Sequence, residues 1–184
     1  MKKLTFILVF YYPLIVFSAE NNNYLTIMPI TGYERVQKLS PTVHTKDRLF
    51  YGVRILYGPP LFSLEAEYTQ AKDTETFATQ GLLIKEDSEQ AKLGIRSSIG
   101  LTTFGSWYLR AGGTARKSVV TTVKNGVSTL AEPAIRVNPY AGTGLAFRLQ
   151  SNFALTAGVT VIFSDYPKKG ADEYQTSLGF SISI

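Results

Sequence analysis

The sequence predicts an all-β fold: an eight-stranded antiparallel up-and-down barrel that crosses a membrane. Three observations carry that prediction. The last stretch, Tyr174 to Ile184, sets Tyr174, Thr176, Leu178, Phe180, Ile182 and Ile184 against Gln175, Ser177, Gly179, Ser181 and Ser183, with no charge and no proline. Such alternation marks a strand, here about 36 Å long, which spans about 25 Å of hydrocarbon when tilted near 45°. Similar two-faced segments recur along the chain, and the joins between them alternate between short and long.

The chain has 184 residues, eleven Tyr, eleven Phe, one Trp and no cysteine. A single domain without disulfides or thiolate metal sites follows. Its mean hydropathy of +0.03 fits two opposed faces that cancel. The formal charge is +5. With Lys2 and Lys3 removed, 17 basic residues face 14 acidic ones, too mild an excess to imply nucleic acid.

Met1 to Ala19 reads as a secretory signal peptide, with Lys2-Lys3, an apolar run from Leu4 to Phe17, and small residues Ser18 and Ala19 at the exit. Cleavage after Ser18 or after Ala19 both remain open. The run is shorter than the ~20 residues of a spanning helix. Residues 20–184 form the barrel domain.

The first strand is expected from about Tyr24 to Glu34, with Pro29 inside it, and the second from Arg48 to Tyr57. The third runs from Phe62 to Thr69, with Leu64, Ala66 and Tyr68 opposing Glu65, Glu67 and Thr69. The fourth, Gln90 to Ile99, opposes Leu93 and Ile95 to Lys92 and Arg96. The fifth begins at Trp107, the sixth ends at Arg148, the seventh covers Phe153 to Ser164, and the terminal stretch is the eighth, closing against the first.

The joins at Gly58-Pro59-Pro60, Gly100 to Ser106 and Gln150 to Asn152 are short, whereas those after odd-numbered strands are longer and more polar. Tight turns on one side and long loops on the other are the habit of outer-membrane barrels. Asn125-Gly126 between β-prone runs signals a hairpin ribbon that carries the fifth and sixth strands past the membrane, and Gln80-Gly81, a weaker turn signal, points to the same for the third and fourth.

Charge decides which face is inside. Arg54, Glu65, Glu67, Lys92, Arg96 and Arg110 all fall on the polar face. An Arg or Lys facing lipid near the midplane would cost about 2–4 kcal/mol, so these six side chains are expected to form a cluster in the lumen. Glu65 is expected between Arg54 and Arg96, and Glu67 near Lys92. Tyr57, Phe62, Trp107, Phe147 and Phe153 sit on the apolar face beside the short turns, the place of an interfacial aromatic belt.

With these features the chain resembles the small eight-stranded outer-membrane barrels, the class of the OmpA transmembrane domain and its OmpX-like relatives. The resemblance covers about Tyr24 to Ile184 and is architectural. It implies a bacterial outer-membrane location, contact with outer-membrane lipids and lipopolysaccharide, and insertion by the β-barrel assembly machinery. The pattern Tyr174, Leu178, Phe180, Ile184 is similar to the family's assembly signal, which usually ends on an aromatic residue.

The resemblance also admits a rim-site lipid A-modifying enzyme, for which His44 with Asp73 or Asp87-Ser88 would supply a His/Asp/Ser set. A solvated loop histidine is the plainer reading. Glu86, Asp87 and Glu89 form an acidic loop cluster rather than a metal site, and Gly112-Gly113 and Gly142-x-Gly144 precede no helix of a nucleotide loop. Leu82-Leu83-Ile84 is an apolar run in a loop and a candidate interaction patch. No cofactor is expected. The reading is a non-enzymatic barrel with a filled lumen, acting in membrane integrity or in adhesion and recognition through its outer loops. A soluble lipocalin-like lipid carrier is the remaining alternative.

Overall fold

A computed structural model describes residues 25–38, 42–164 and 172–184; the expected signal peptide lies outside them. Nine strands follow in chain order: β1 Leu25–Lys38, β2 His44–Tyr57, β3 Ser63–Phe77, β4 Leu82–Gly100, β5 Gly105–Lys124, β6 Val127–Ala131, β7 Arg136–Gln150, β8 Phe153–Ile162 and β9 Glu173–Ser183. Eight of them close a barrel in the order β1-β2-β3-β4-β5-β7-β8-β9, every neighbouring pair antiparallel. β9 returns to β1 from Thr26↔Ser183 to Arg35↔Tyr174 and removes both free edges. Pro29 has no N–H to offer, and the β1–β9 register runs from Ile27↔Ile182 to Ile30↔Gly179 across it.

The ninth strand, β6, is the return of the Asn125-Gly126 hairpin and pairs with the upper part of β5. Asn125 (φ 51°) and Gly126 (φ 80°) both adopt the left-handed conformation that a two-residue type I′ turn needs.

Strand length is the main departure from the sequence expectation. β3 and β4 continue to Phe77↔Leu82 across a short turn at Ala78–Gln80, and β4 and β5 stay paired up to Leu82↔Lys124. Much of what reads as long polar loop is therefore paired ribbon. Above the apolar band polar residues stand on both strand faces and apolar ones no longer alternate strictly, so the hydrophobic pattern fades while the backbone ladder continues. Leu82, Leu83 and Ile84 accordingly sit at the start of β4, half-buried between β3 and β5, and not in a loop. His44 likewise opens β2.

The outer surface is apolar over one band. Leu93 is 70% exposed, Leu178 62% and Val137 74%, an arrangement opposite to that of a protein folded in water. Outward-facing Leu49 to Tyr57 on β2 and Ala91 to Ile99 on β4 match the roughly 9–11 tilted residues that cross a bilayer. Tyr57, Phe62, Trp107 and Phe147 are exposed at the short-turn end, and Phe153 there stacks on Phe180 at 5.5 Å between ring centroids. Tyr33, Tyr51, Tyr68 and Tyr174 mark the other edge. Immediately above them stands a charged collar that includes the exposed pairs Arg35–Asp47 and Lys72–Asp87.

Candidate functional site

The inward faces of the strands carry the charges, and barrel closure brings them together. Arg54, Glu65, Glu67, Lys92, Arg96 and Arg110 are each at most 4% exposed. Glu67 is the hub. Lys92 donates to its Oε1, while Arg54 Nε at 2.7 Å and Arg110 Nη1 at 2.8 Å donate to its Oε2. The register explains this convergence, because Glu67 lies directly opposite Arg54 on β2 and Lys92 on β4.

Glu65, one pleat lower, receives Arg110 Nη1 at 3.0 Å and the Tyr140 hydroxyl at 3.0 Å, with Arg54 Nε at 3.8 Å. The expected placement of Glu65 between Arg54 and Arg96 is corrected here. Arg96 instead lies over the Tyr108 ring, 3.7 Å from its centroid, and Arg96 Nε donates to Ser98 at 3.3 Å. Arg96 faces Ser63 across β3, so Glu65 is opposite Gly94 and the arginine reaches an aromatic neighbour first.

The bulky lumenal side chains fit because glycines stand opposite them. A Cβ on Gly158 would lie 2.2 Å from the Tyr108 hydroxyl, and one on Gly94 would lie 2.5 Å from that of Tyr140. Met28, Ile30 and Phe50 fill a further part of the lumen as an apolar cluster. An eight-stranded barrel is just wide enough for side chains to fill, and these fill this one across the level of the apolar band.

A second charged tier lies above the first, and Gln175 joins the two. Its Oε1 accepts from Lys92 at 2.6 Å, and its Nε2 donates to Glu34 Oε2 at 2.7 Å and to Gln90 Oε1 at 2.9 Å. Glu34 holds two arginines, Arg48 on Oε1 and Arg116 on Oε2, the latter at 2.8 Å. Arg48 Nη1 also donates to Glu86 at 2.9 Å, and Arg116 Nη1 pairs with Glu173 at 2.6 Å.

The outer rim is a third tier, above the collar. His44 Nδ1 meets the Thr42 carbonyl at 2.8 Å and Nε2 meets Glu75 at 2.9 Å. The Thr42 contact and then the Glu75 contact hold the imidazole above its ordinary pKa. Burial pushes the Glu86 carboxyl up, but the Arg48 charge, with Lys38 beside it, brings its pKa down to about 2. Asp73 pairs with Lys38 and Lys46, and Asp87 faces outward to Lys72. Of the residues considered for a His/Asp/Ser set, His44 is thus engaged with Glu75, Asp73 with Lys38 and Lys46, and Asp87 with Lys72. Glu86 points inward while Asp87 and Glu89 point out, which splits the acidic run, and among the described residues no group of His, Asp and Glu is placed to hold a metal ion.

No protein-family model matches the sequence, and no curated protein matches it either. Solved structures do match in fold. Neisserial surface protein A aligns with a TM-score of 0.62 at 13% identity, over 87% of this chain and 97% of that one. The attachment invasion locus protein Ail of Yersinia pestis aligns with a TM-score of 0.60 at 14% identity, over 88% and 99%. The N-terminal β-barrel domain of Pseudomonas aeruginosa OprF gives 0.57 at 14% identity, over 86% and 97%. The fold is that of the small eight-stranded outer-membrane barrels.

Proposed function

We propose that this chain is an integral protein of the bacterial outer membrane that acts at the cell surface, in recognition or in membrane integrity, and not as a wide pore. The observation that carries the proposal is the inverted distribution of its side chains. The exterior band is apolar and belted by aromatics, while the lumen is closed by a buried ion network centred on Glu67. That arrangement suits lipid outside and leaves no continuous wide channel inside. A lipocalin-like carrier would need the reverse.

In this reading Met1 to Ala19 directs export and the terminal strand β9 engages the assembly machinery. The collar meets lipopolysaccharide, and the short turns face the periplasm. The outer ends of β3, β4 and β5 together with β6, including Leu82, Leu83 and Ile84, then stand outside the cell. One barrel of the same fold, Ail, has been solved with the heparin analogue sucrose octasulfate, which favours a recognition role for the projecting part. No catalytic role is assigned.

The test is a variant in which Val119 to Ala131 is replaced by a tight turn. Cells displaying it are compared with wild type for adhesion to immobilised glycans and for leakage of a large hydrophilic dye. Lost adhesion with an intact permeability barrier supports recognition, whereas leakage supports integrity. Large open-channel steps from the wild-type protein in planar bilayers would contradict both.

A further inference from the structure

The upper lumen holds a cleft of about 310 Å³ that opens to the outer end and is floored by the second charged tier. Val36 and Ile162, buried at 4% and 1% exposure, lie there with Ile84 and Val120, so apolar side chains reach it from β1, β8, β4 and β5. Arg48, Arg116 and Arg136 also line it. Such a mixture of apolar side chains and convergent polar groups is what small-ligand sites present, and the volume falls at the small end of the roughly 300–1,000 Å³ that such sites span.

The polar groups of this cleft are not all used. Arg48 is 4% exposed and Thr114 2%, yet Arg48 Nη2 and Thr114 Oγ1 are enclosed without a hydrogen-bond partner among the described residues. Arg116 Nε is in the same position. Arg48 and Arg116 grip opposite oxygens of the single Glu34 carboxylate, which sets their guanidinium groups side by side. Enclosed donors of this kind cost free energy when left unpaired. Charge points the same way. Lys38, Arg48, Arg116 and Arg136 line the cleft against Glu75, Glu86 and Glu173, and of these cations Arg136 has no ion pair among the described residues.

We propose that this vestibule binds a small organic anion, its carboxylate taken by Arg48, Arg116 and the Thr114 hydroxyl, and its apolar body laid against Val36, Ile84 and Ile162. Arg136, exposed at the mouth, draws the anion in. The tier beneath stops it from passing through, so the site captures and does not conduct. The inference rests on the barrel fold and its outward-facing rim, and is independent of whether the projecting sheet is adhesive.

The barrel, reconstituted in lipid nanodiscs and verified as folded by heat-modifiable gel mobility, is titrated with benzoate, with benzyl alcohol as its neutral counterpart, and with inorganic phosphate. Saturable binding of benzoate at one site per barrel is expected, with benzyl alcohol and phosphate each weaker. Arg116→Gln removes charged hydrogen bonds and should weaken benzoate about tenfold or more. Should that variant not fold, Arg136→Gln at the exposed mouth and Ile84→Ser in the apolar lining provide folded alternatives, each with reduced affinity. Absence of saturable benzoate binding by a folded barrel, unchanged affinity in the folded variants, or phosphate bound as tightly as benzoate would overturn the proposal. Loss of heat-modifiable mobility or of nanodisc insertion in the wild type would instead contradict the membrane-barrel reading.

Discussion

Arg96 lies over the ring of Tyr108, 3.7 Å from its centroid, and the Tyr108 hydroxyl in turn occupies the space left by Gly158 on β8. A cation–π contact in a desolvated setting is worth about 2 kcal/mol, so a wall-to-wall chain of contacts crosses the lumen from β4 through β5 to β8. Tyr108→Phe keeps the ring and should be nearly neutral, whereas Tyr108→Leu should destabilise by about 1–3 kcal/mol. Gly158→Ala places a methyl against the hydroxyl and should destabilise by about 1–3 kcal/mol through overpacking. Tyr108→Phe should then recover most of that loss, because it removes the clashing atom. Urea unfolding in lipid vesicles measures all four species, and additive effects would show that the hydroxyl does not sit over Gly158.

The Glu67 hub makes a second quantitative prediction. Removing one member of a buried ion network leaves the others uncompensated and typically costs about 3–5 kcal/mol. Glu67→Gln strands Arg54, Lys92 and Arg110 together, so it should cost more than Glu65→Gln. Glu132→Gln on the exposed ribbon should stay within about 0.5 kcal/mol of wild type. A double-mutant cycle of Glu67→Gln with Arg110→Met should show coupling above about 0.5 kcal/mol, and one of Glu65→Gln with Arg96→Met should show less. Stronger coupling in the second cycle would place Arg96 on Glu65 after all.

Acid should weaken the rim. The folded-state pKa of Glu86 lies at about 2, below the ordinary value of 4.5. A carboxylate depressed in this way stabilises the fold fully above the unfolded pKa, and the contribution disappears as pH falls through the folded one. The stability difference between wild type and Glu86→Gln should therefore be constant from neutral pH down to about 5, shrink below it, and vanish near pH 2. Thermal unfolding followed across that range checks this. His44 runs in the opposite sense: its raised pKa stabilises the rim below the ordinary imidazole value and is lost as pH rises through the folded value.

How much of this was legible in the sequence follows the physics of each region. Inside the apolar band, lipid outside and a packed lumen inside enforce alternation at every residue, so Tyr174 to Ile184 and Phe62 to Thr69 declare both their conformation and their faces. Asn125-Gly126 declares its turn because few residues adopt a positive φ. Above the collar polar residues stand on both faces, so Lys72 to Phe77 and Leu82 to Glu89 read as a longer polar join whose strand signal is the weak Gln80-Gly81 turn, although they form a continuous ladder. Inward orientation of the six lumenal charges is likewise readable from period two. Their pairing is not. Whether Arg110 meets Glu65 or Glu67 depends on strand stagger across the lumen, and Gln175, which links the two charged tiers, carries no charge pattern to betray it.

The central claim is a barrel that threads the outer membrane with its β5–β6 ribbon outside and its short turns in the periplasm. Since the chain has no cysteine, single introduced thiols report without background. Ser128→Cys on the ribbon and Thr103→Cys in the β4–β5 turn are both exposed positions. A membrane-impermeant maleimide added to intact cells should label the first and spare the second, with both labelled after the cells are lysed. Labelling of Thr103→Cys but not Ser128→Cys in intact cells would invert the barrel, and release of the unmodified protein in soluble form without detergent would contradict its place in the membrane.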